Sequence, residues 1–205
     1  MDFDALIIGG GVAGLQCALV LGSAKEKPFA LHKKVGIIVH QKASHLQNAL
    51  FNNVLGLSAN TVGKDILGAG KQQLSALYPS ISQIENEKVI SITDINDGYK
   101  VITNKTTYQA KIVIIALNYS KPFTIGGLQN FIEPHQKANP KKDRIQLKNT
   151  DCFIQKGMYC CGTIAGCRSQ FAIAAGSGAA VATDVLTVWN NGNHVKIHDK
   201  VKKSS

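Results

Sequence analysis

Apolar positions along this chain come in two patterns: short unbroken runs rich in β-branched residues, and longer stretches in which apolar residues return every three or four positions. The first run, Ala5-Leu-Ile-Ile8, breaks into Gly9-Gly-Gly11-Val12-Ala13-Gly14 and continues as the helix-like Leu15-Gln-Cys-Ala-Leu-Val-Leu21, which predicts strand, turn and helix in direct succession. Residues 23–34 are polar and contain Pro28, and Val35-Gly-Ile-Ile-Val39 then reads as a second parallel strand that completes a βαβ unit. Residues 41–60, rich in Asn, Ser and His, predict a long loop covering a ligand. Asp65 opens a helix whose Ile66, Leu67, Leu74 and Leu77 recur at helical spacing, with Pro79 just past its end and a strand to follow.

Residues 89–94, 99–103 and 107–111 are short β-prone pieces separated by Asn96-Asp-Gly98 and Asn104-Lys105, which are hairpin signals. They predict an antiparallel meander used as a crossover. Residues 112–116 form another buried parallel strand, after which Pro122, Gly126-Gly127 and a basic stretch to Lys148 read as an irregular surface excursion. Residues 156–162 are the last core strand. Residues 170–189 make a long Ala-rich helix in which Gly176 and Gly178 permit close approach. No repeat or composition break marks a second domain: residues 1–192 form one domain and 193–205 a basic tail.

The glycine turn carries the chemistry. In Gly-x-Gly-x-x-Gly after a strand and before a helix, Gly9 permits the tight turn, Gly11 lets the backbone approach a pyrophosphate, and Gly14 lets helix pack on strand. The helix start at Val12 and Ala13 offers free N–H groups to the anion. The residue after the second strand, His40, lies farther from this turn than the roughly 20 positions usual in such units. An insertion near residues 25–31 explains the spacing.

Composition narrows the class. At 205 residues, 44% hydrophobic and 18% charged, the chain fits one large α/β domain and one nucleotide. No segment approaches the roughly 18 to 20 uninterrupted apolar residues of a membrane span, and the N-terminus lacks a basic signal start, which predicts a cytoplasmic protein. The net charge of +10 is concentrated in residues 137–148 and 196–203. Without interleaved aromatics these read as solvated surface, with neither nucleic acid nor membrane as partner. Five cysteines show no Cys-x-x-Cys pair. Cys160 and Cys161, adjacent on a strand, should face opposite sides, and Cys167, before the closing helix, is the thiol best placed for a lowered pKa. The six histidines have no partners at metal-ligand spacing, and neither Ser58 nor Ser177 sits in a hydrolase elbow. No metal and no acyl transfer are implied.

Taken together, the N-terminal Gly-x-Gly-x-x-Gly unit, the meander crossover, a late strand ending in Gly162 and the segment Gly162-Thr-Ile-Ala-Gly-Cys-Arg-Ser-Gln170-Phe-Ala-Ile-Ala-Ala-Gly176-Ser-Gly178 resemble the FAD domain of thioredoxin reductase-like flavoproteins, in a small single-domain form without the NADPH domain. The resemblance implies a three-layer FAD/NAD(P)-binding Rossmann-like fold, with a central parallel sheet and a β-meander crossover. It also implies bound FAD and a separate electron donor or acceptor, and it admits a homodimer. By the same resemblance Gly162 and Thr163 take the place of a Gly-Asp pair that meets the ribityl and pyrophosphate. Gln170 and Phe171 start the helix that faces the flavin ring, Asn53 lies beside the ring, and the backbone at Val89 meets the adenine.

Three positions depart from the family pattern. His40 stands where an acid accepts both ribose hydroxyls; its neutral ring accepts one hydrogen bond and donates another, and its protonated ring could hold a 2′-phosphate. Thr163 replaces the Asp, keeping a hydroxyl without charge. Ala116-Leu-Asn118 replaces Ala-Thr-Gly beside the cofactor. The cofactor-binding residues are therefore Gly9, Gly11, Val12, Ala13, Gly14, His40, Gln41, Lys42, Asn53, Val89, Ala116, Gly162, Thr163, Gln170 and Phe171, with no catalytic acid or base demanded. The leading expectation is an FAD-dependent oxidoreductase of the pyridine nucleotide-disulfide type without its own NAD(P)H domain or redox dithiol. A non-catalytic FAD module and an NADP-binding protein using His40 and Lys42 are the alternatives.

Overall fold

The computed structural model describes residues 1–40 and 44–198. Gln41 and Lys42 lie outside the described residues. In chain order the elements are β1 Phe3–Ile8, α1 Val12–Ser23, β2 Val35–Val39, β3 Leu50–Phe51, β4 Thr61–Val62, α2 Gly63–Leu77, β5 Ile81–Glu85, β6 Val89–Ile95, β7 Gly98–Thr103, β8 Thr107–Ile115, β9 Ile132–Pro134, β10 Ile145–Leu147, β11 Phe153–Gln155, β12 Met158–Cys160 and α3 Phe171–Trp189. The main sheet runs β11-β12-β8-β1-β2-β5, with β7 also paired to β8 and β6 to β7. The strands from β12 to β5 are parallel. This is the FAD/NAD(P)-binding Rossmann-like arrangement with its meander.

Period-2 alternation divides the core in two. Ala5, Ile7, Ile37, Ile112, Ile114 and Cys161 face the helices α1 and α3. Leu6, Ile8, Ile38, Val113, Ile115 and Cys160 face the other layer, built from the meander and residues 125–147. The adjacent thiols Cys160 and Cys161 do point to opposite faces.

Several sequence expectations change. The meander arm at 107–111 and the parallel strand at 112–116 are one strand, β8, because no turn residue interrupts them: its first half pairs antiparallel with β7 and its second half lies between β1 and β12. The excursion over 117–148 is not merely surface. It holds the β9–β10 pair, and Ile125, Leu128, Ile145 and Leu147 are buried in the second core. α2 starts at Gly63, two residues before Asp65, because the Gly63 N–H bonds the Ala49 carbonyl and a Cβ there would strike the Leu46 carbonyl. The insertion near 25–31 is a series of turns held by bonds such as Lys27 N–H to Ala24 O and Ala30 N–H to Lys27 O. Beyond Gly192 the chain is still held, with Val195 buried in the helical core. Finally, α3 is long and apolar enough by length and composition to cross a membrane, which a search for unbroken apolar runs does not reveal because Ser177, Thr183 and Asp184 interrupt it. Here its inner face packs along α1 through Val181, Ala182, Val185 and Leu186.

Candidate cofactor-binding site

After Ile8 the backbone turns through Gly9 at φ +121°, a conformation that side chains rarely adopt. A Cβ at Gly9 would strike the Ala116 carbonyl, and one at Gly14 the Gly9 carbonyl. Both glycines are thus needed for β1, α1 and the end of β8 to close together. Gly11, the N-cap of α1, has open space where a side chain would be. No side chain caps this helix and no acid lies in its first turn. Its leading N–H groups and the positive end of its dipole therefore favour an anion.

The other wall is built from the end of β12. Gly162, at φ +77°, donates its N–H to Ser177 Oγ at 2.8 Å, and Ser177 in turn donates to the Ala174 carbonyl at 2.8 Å. α3 begins at the N-cap Gln170, whose own Oε1 accepts the Ala172 N–H at 2.7 Å. A Cβ at Gly178 would strike the Ala13 carbonyl, so the expected close approach is made there. Gly176, by contrast, faces open space.

Between these walls lies a cavity of about 590 Å³, within the range of small-molecule sites. Gly9, Gly11, Val12 and Ala13 line it from the first turn, His40 from the end of β2, and Asn53 from the loop before β4. Val89 and Ala116 contribute from the ends of β6 and β8, and Gly162, Thr163, Gln170 and Phe171 from the second wall. Gly14 is not in the lining; it braces the turn from behind. Ser44, Leu46 and Phe51, from the segment between β2 and β4, also line the cavity.

Sequence reading missed several neighbours. Phe51 meets Phe171 edge-on, centroids 5.2 Å apart, a contact foreshadowed only by its being the one aromatic in residues 41–60. Glu87, buried at the cavity edge, accepts hydrogen bonds from Thr103 Oγ1 at 2.7 Å and from the Tyr108 hydroxyl at 3.0 Å. Burial, with the Glu87 carboxylate, pushes the Tyr108 phenol up. His45 and Ser120 line the cavity as well. Burial, and then Arg144, hold His45 below its ordinary value.

The thiols are not part of the lining except Cys161. Burial pushes Cys17, Cys160 and Cys161 far up, and Cys152 up to about 11. Cys167, half-buried, ties its N–H to the Gly162 carbonyl at 3.4 Å and stays outside the cavity wall.

Solved structures share this architecture. A thioredoxin reductase from Gloeobacter violaceus superposes with TM-score 0.71 at 13% identity over 98% of each chain. A ferredoxin-flavin thioredoxin reductase from Clostridium acetobutylicum gives TM-score 0.68 at 17% identity, over 93% of this chain and 99% of that one. The atypical thioredoxin reductase TRi from Desulfovibrio vulgaris Hildenborough gives 0.68 at 13% identity, over 92% and 98%. No curated protein matches the sequence. The family model described as pyridine nucleotide-disulphide oxidoreductase matches residues 3–178, the span that carries both walls of the cavity, and the chain belongs to that family.

Proposed function

We propose that this chain binds FAD along the cavity and acts as an oxidoreductase that exchanges electrons with a separate donor and acceptor. The observation that carries it is the opening of two helix starts, the uncapped α1 and the Gln170-capped α3, into one cavity lined from both ends of the chain. A cofactor with a charged pyrophosphate at one part and a polar ring at another suits that pair. FAD, when bound, supplies hydride and electron transfer.

The residues present fit such a group, with alterations. The α1 N–H groups and the open side of Gly11 receive the pyrophosphate. His40 offers the ribose one donor and one acceptor where the family pattern has an acid, and Thr163 offers a hydroxyl without charge. Gln170 and Phe171 position the start of α3 toward the ring, and the Phe51–Phe171 contact lines that side of the cavity.

The test is reconstitution: purified protein is supplied with FAD, separated from free ligand and scanned in the visible. Retention of about one flavin per chain supports the reading. Protein that retains no flavin but binds NADPH more tightly than NADH would replace it with the nicotinamide alternative.

A further inference from the structure

Beside the cavity, away from the glycine turn, four polar side chains gather around Tyr119. Arg144 stacks over the ring with its guanidinium carbon 5.0 Å from the centroid, and His45 and His135 meet it edge-on at 5.5 and 5.2 Å. Arg144 Nη1 donates to Ser120 Oγ at 2.6 Å, and that oxygen lies 3.4 Å from His45 Nε2. Pairing of β9 and β10, extended by the His135 N–H bond to the Arg144 carbonyl, sets His135 and Arg144 side by side, and the Ile145 N–H holds the Tyr119 carbonyl.

The set is rich in donors and has no acid. Arg144 forms no ion pair among the described residues, and its Nε is buried without an acceptor. His135, only 8% exposed, accepts the Lys137 N–H on Nδ1, which leaves Nε2 as the ring's donor, and that atom is also buried without an acceptor. The nearby carboxylates are engaged elsewhere: Asp143 with Lys121 at 2.6 Å, and Glu133 with the Gln146 and Gln136 amides. Stacking on Tyr119 offsets part of the cost of a half-buried guanidinium. It leaves the charge uncompensated, and buried donors without acceptors mark a site built for an anion.

We propose that Arg144, Ser120 and His45, backed by His135, form an oxyanion subsite on the edge of the cavity, which takes the carboxylate or phosphate of the small molecule that exchanges electrons there. The anion site stands on the protein alone; its role as a substrate subsite rests on the flavin reading. His45 and Ser120 line the cavity, and Arg144, itself outside the lining, donates to Ser120 from behind, so the anionic end of a bound molecule meets His45 and Ser120 with the cation directly behind them while the rest lies in the cavity. A bound anion would favour the imidazolium form of His45, opposing the effects of burial and Arg144.

The experiment titrates the full chain, once without flavin and once supplied with FAD, with inorganic phosphate and separately with succinate at constant ionic strength, following the histidine ring signals by NMR. Expected are saturable shifts of His45 and His135 and a rise in the pKa of His45 on saturation. Arg144→Gln should weaken the binding at least about tenfold and Arg144→Lys severalfold, because it loses the planar fork, while Lys148→Gln stays within about twofold. Tighter phosphate or tighter succinate tells the two sources apart. Linear shifts without saturation, or unchanged affinity in a folded Arg144→Gln or Arg144→Lys protein, would overturn the site. Saturation without flavin retention would leave the anion site standing and remove the flavin reading.

Discussion

The two helix starts that open into the cavity are built differently. α1 begins on glycines, with no side-chain cap and no acid in its first turn. α3 begins on Gln170, which satisfies the Ala172 N–H itself, and is tied through Ser177 to the Gly162 N–H. The first leaves its donors without a side-chain cap, whereas the second satisfies the Ala172 N–H from its own cap. On the proposed reading, phosphate charge goes to α1, and α3 positions a neutral group.

The largest effect should come from breaking the first start. Gly14→Ala places a Cβ on the Gly9 carbonyl, where only backbone movement can relieve it, and should cost at least about 3 kcal/mol in urea unfolding together with loss of retained flavin. A variant of wild-type stability would mean that the turn is looser than described. Ser177→Ala comes next: it strands the Gly162 N–H and should cost about 1–3 kcal/mol, with flavin affinity reduced less than in Gly14→Ala. Restoring an acid with His40→Glu should tighten FAD by about tenfold, or 1.4 kcal/mol; unchanged affinity would show that His40 does not meet the ribose. Gln170→Ala removes a cap worth about 1 kcal/mol and frees a donor at α3, which should leave affinity nearly constant if the second start holds no phosphate.

The smallest effect is one of pH, far from both starts. Burial would raise the Asp4 carboxyl, but the Lys34 N–H and the Lys111 and Lys33 ammonium groups outweigh it and hold the group below 3.8. A depressed acid contributes stability above its unfolded value, and that contribution is lost as pH falls through the lower folded value. Asp4→Asn should therefore flatten the stability profile below about pH 4 and leave the cavity untouched.

The contrast between the starts also explains what the sequence could show. The turn at Gly9–Gly14 is a local device, its glycines contiguous and its strand and helix adjoining, so periodicity and spacing reveal it. The segment from Gly162 to Gly178 is nearly as local. Residues 117–148 are the opposite case: β9 and β10 are three residues each, too short for a period, and their burial depends on a partner strand across an irregular loop and on the second face of a sheet made elsewhere. Read locally, Pro122, the paired glycines and the lysines signal surface. Only the folded pairing brings Arg144 and His135 to Tyr119, and only the return of β8 brings Ser120 to His45. β8 itself reads as two pieces because its halves meet neighbours of opposite direction, which no local pattern records.

The claim that phosphate binds at the α1 start is tested most directly by titrating flavin-free protein with FAD and with FMN, following flavin fluorescence. FMN carries the same ring but lacks the pyrophosphate-linked adenosine. FAD should bind at least about tenfold more tightly than FMN, and Gly14→Ala should abolish that difference. Equal affinity for the two flavins in the wild-type protein would contradict the account.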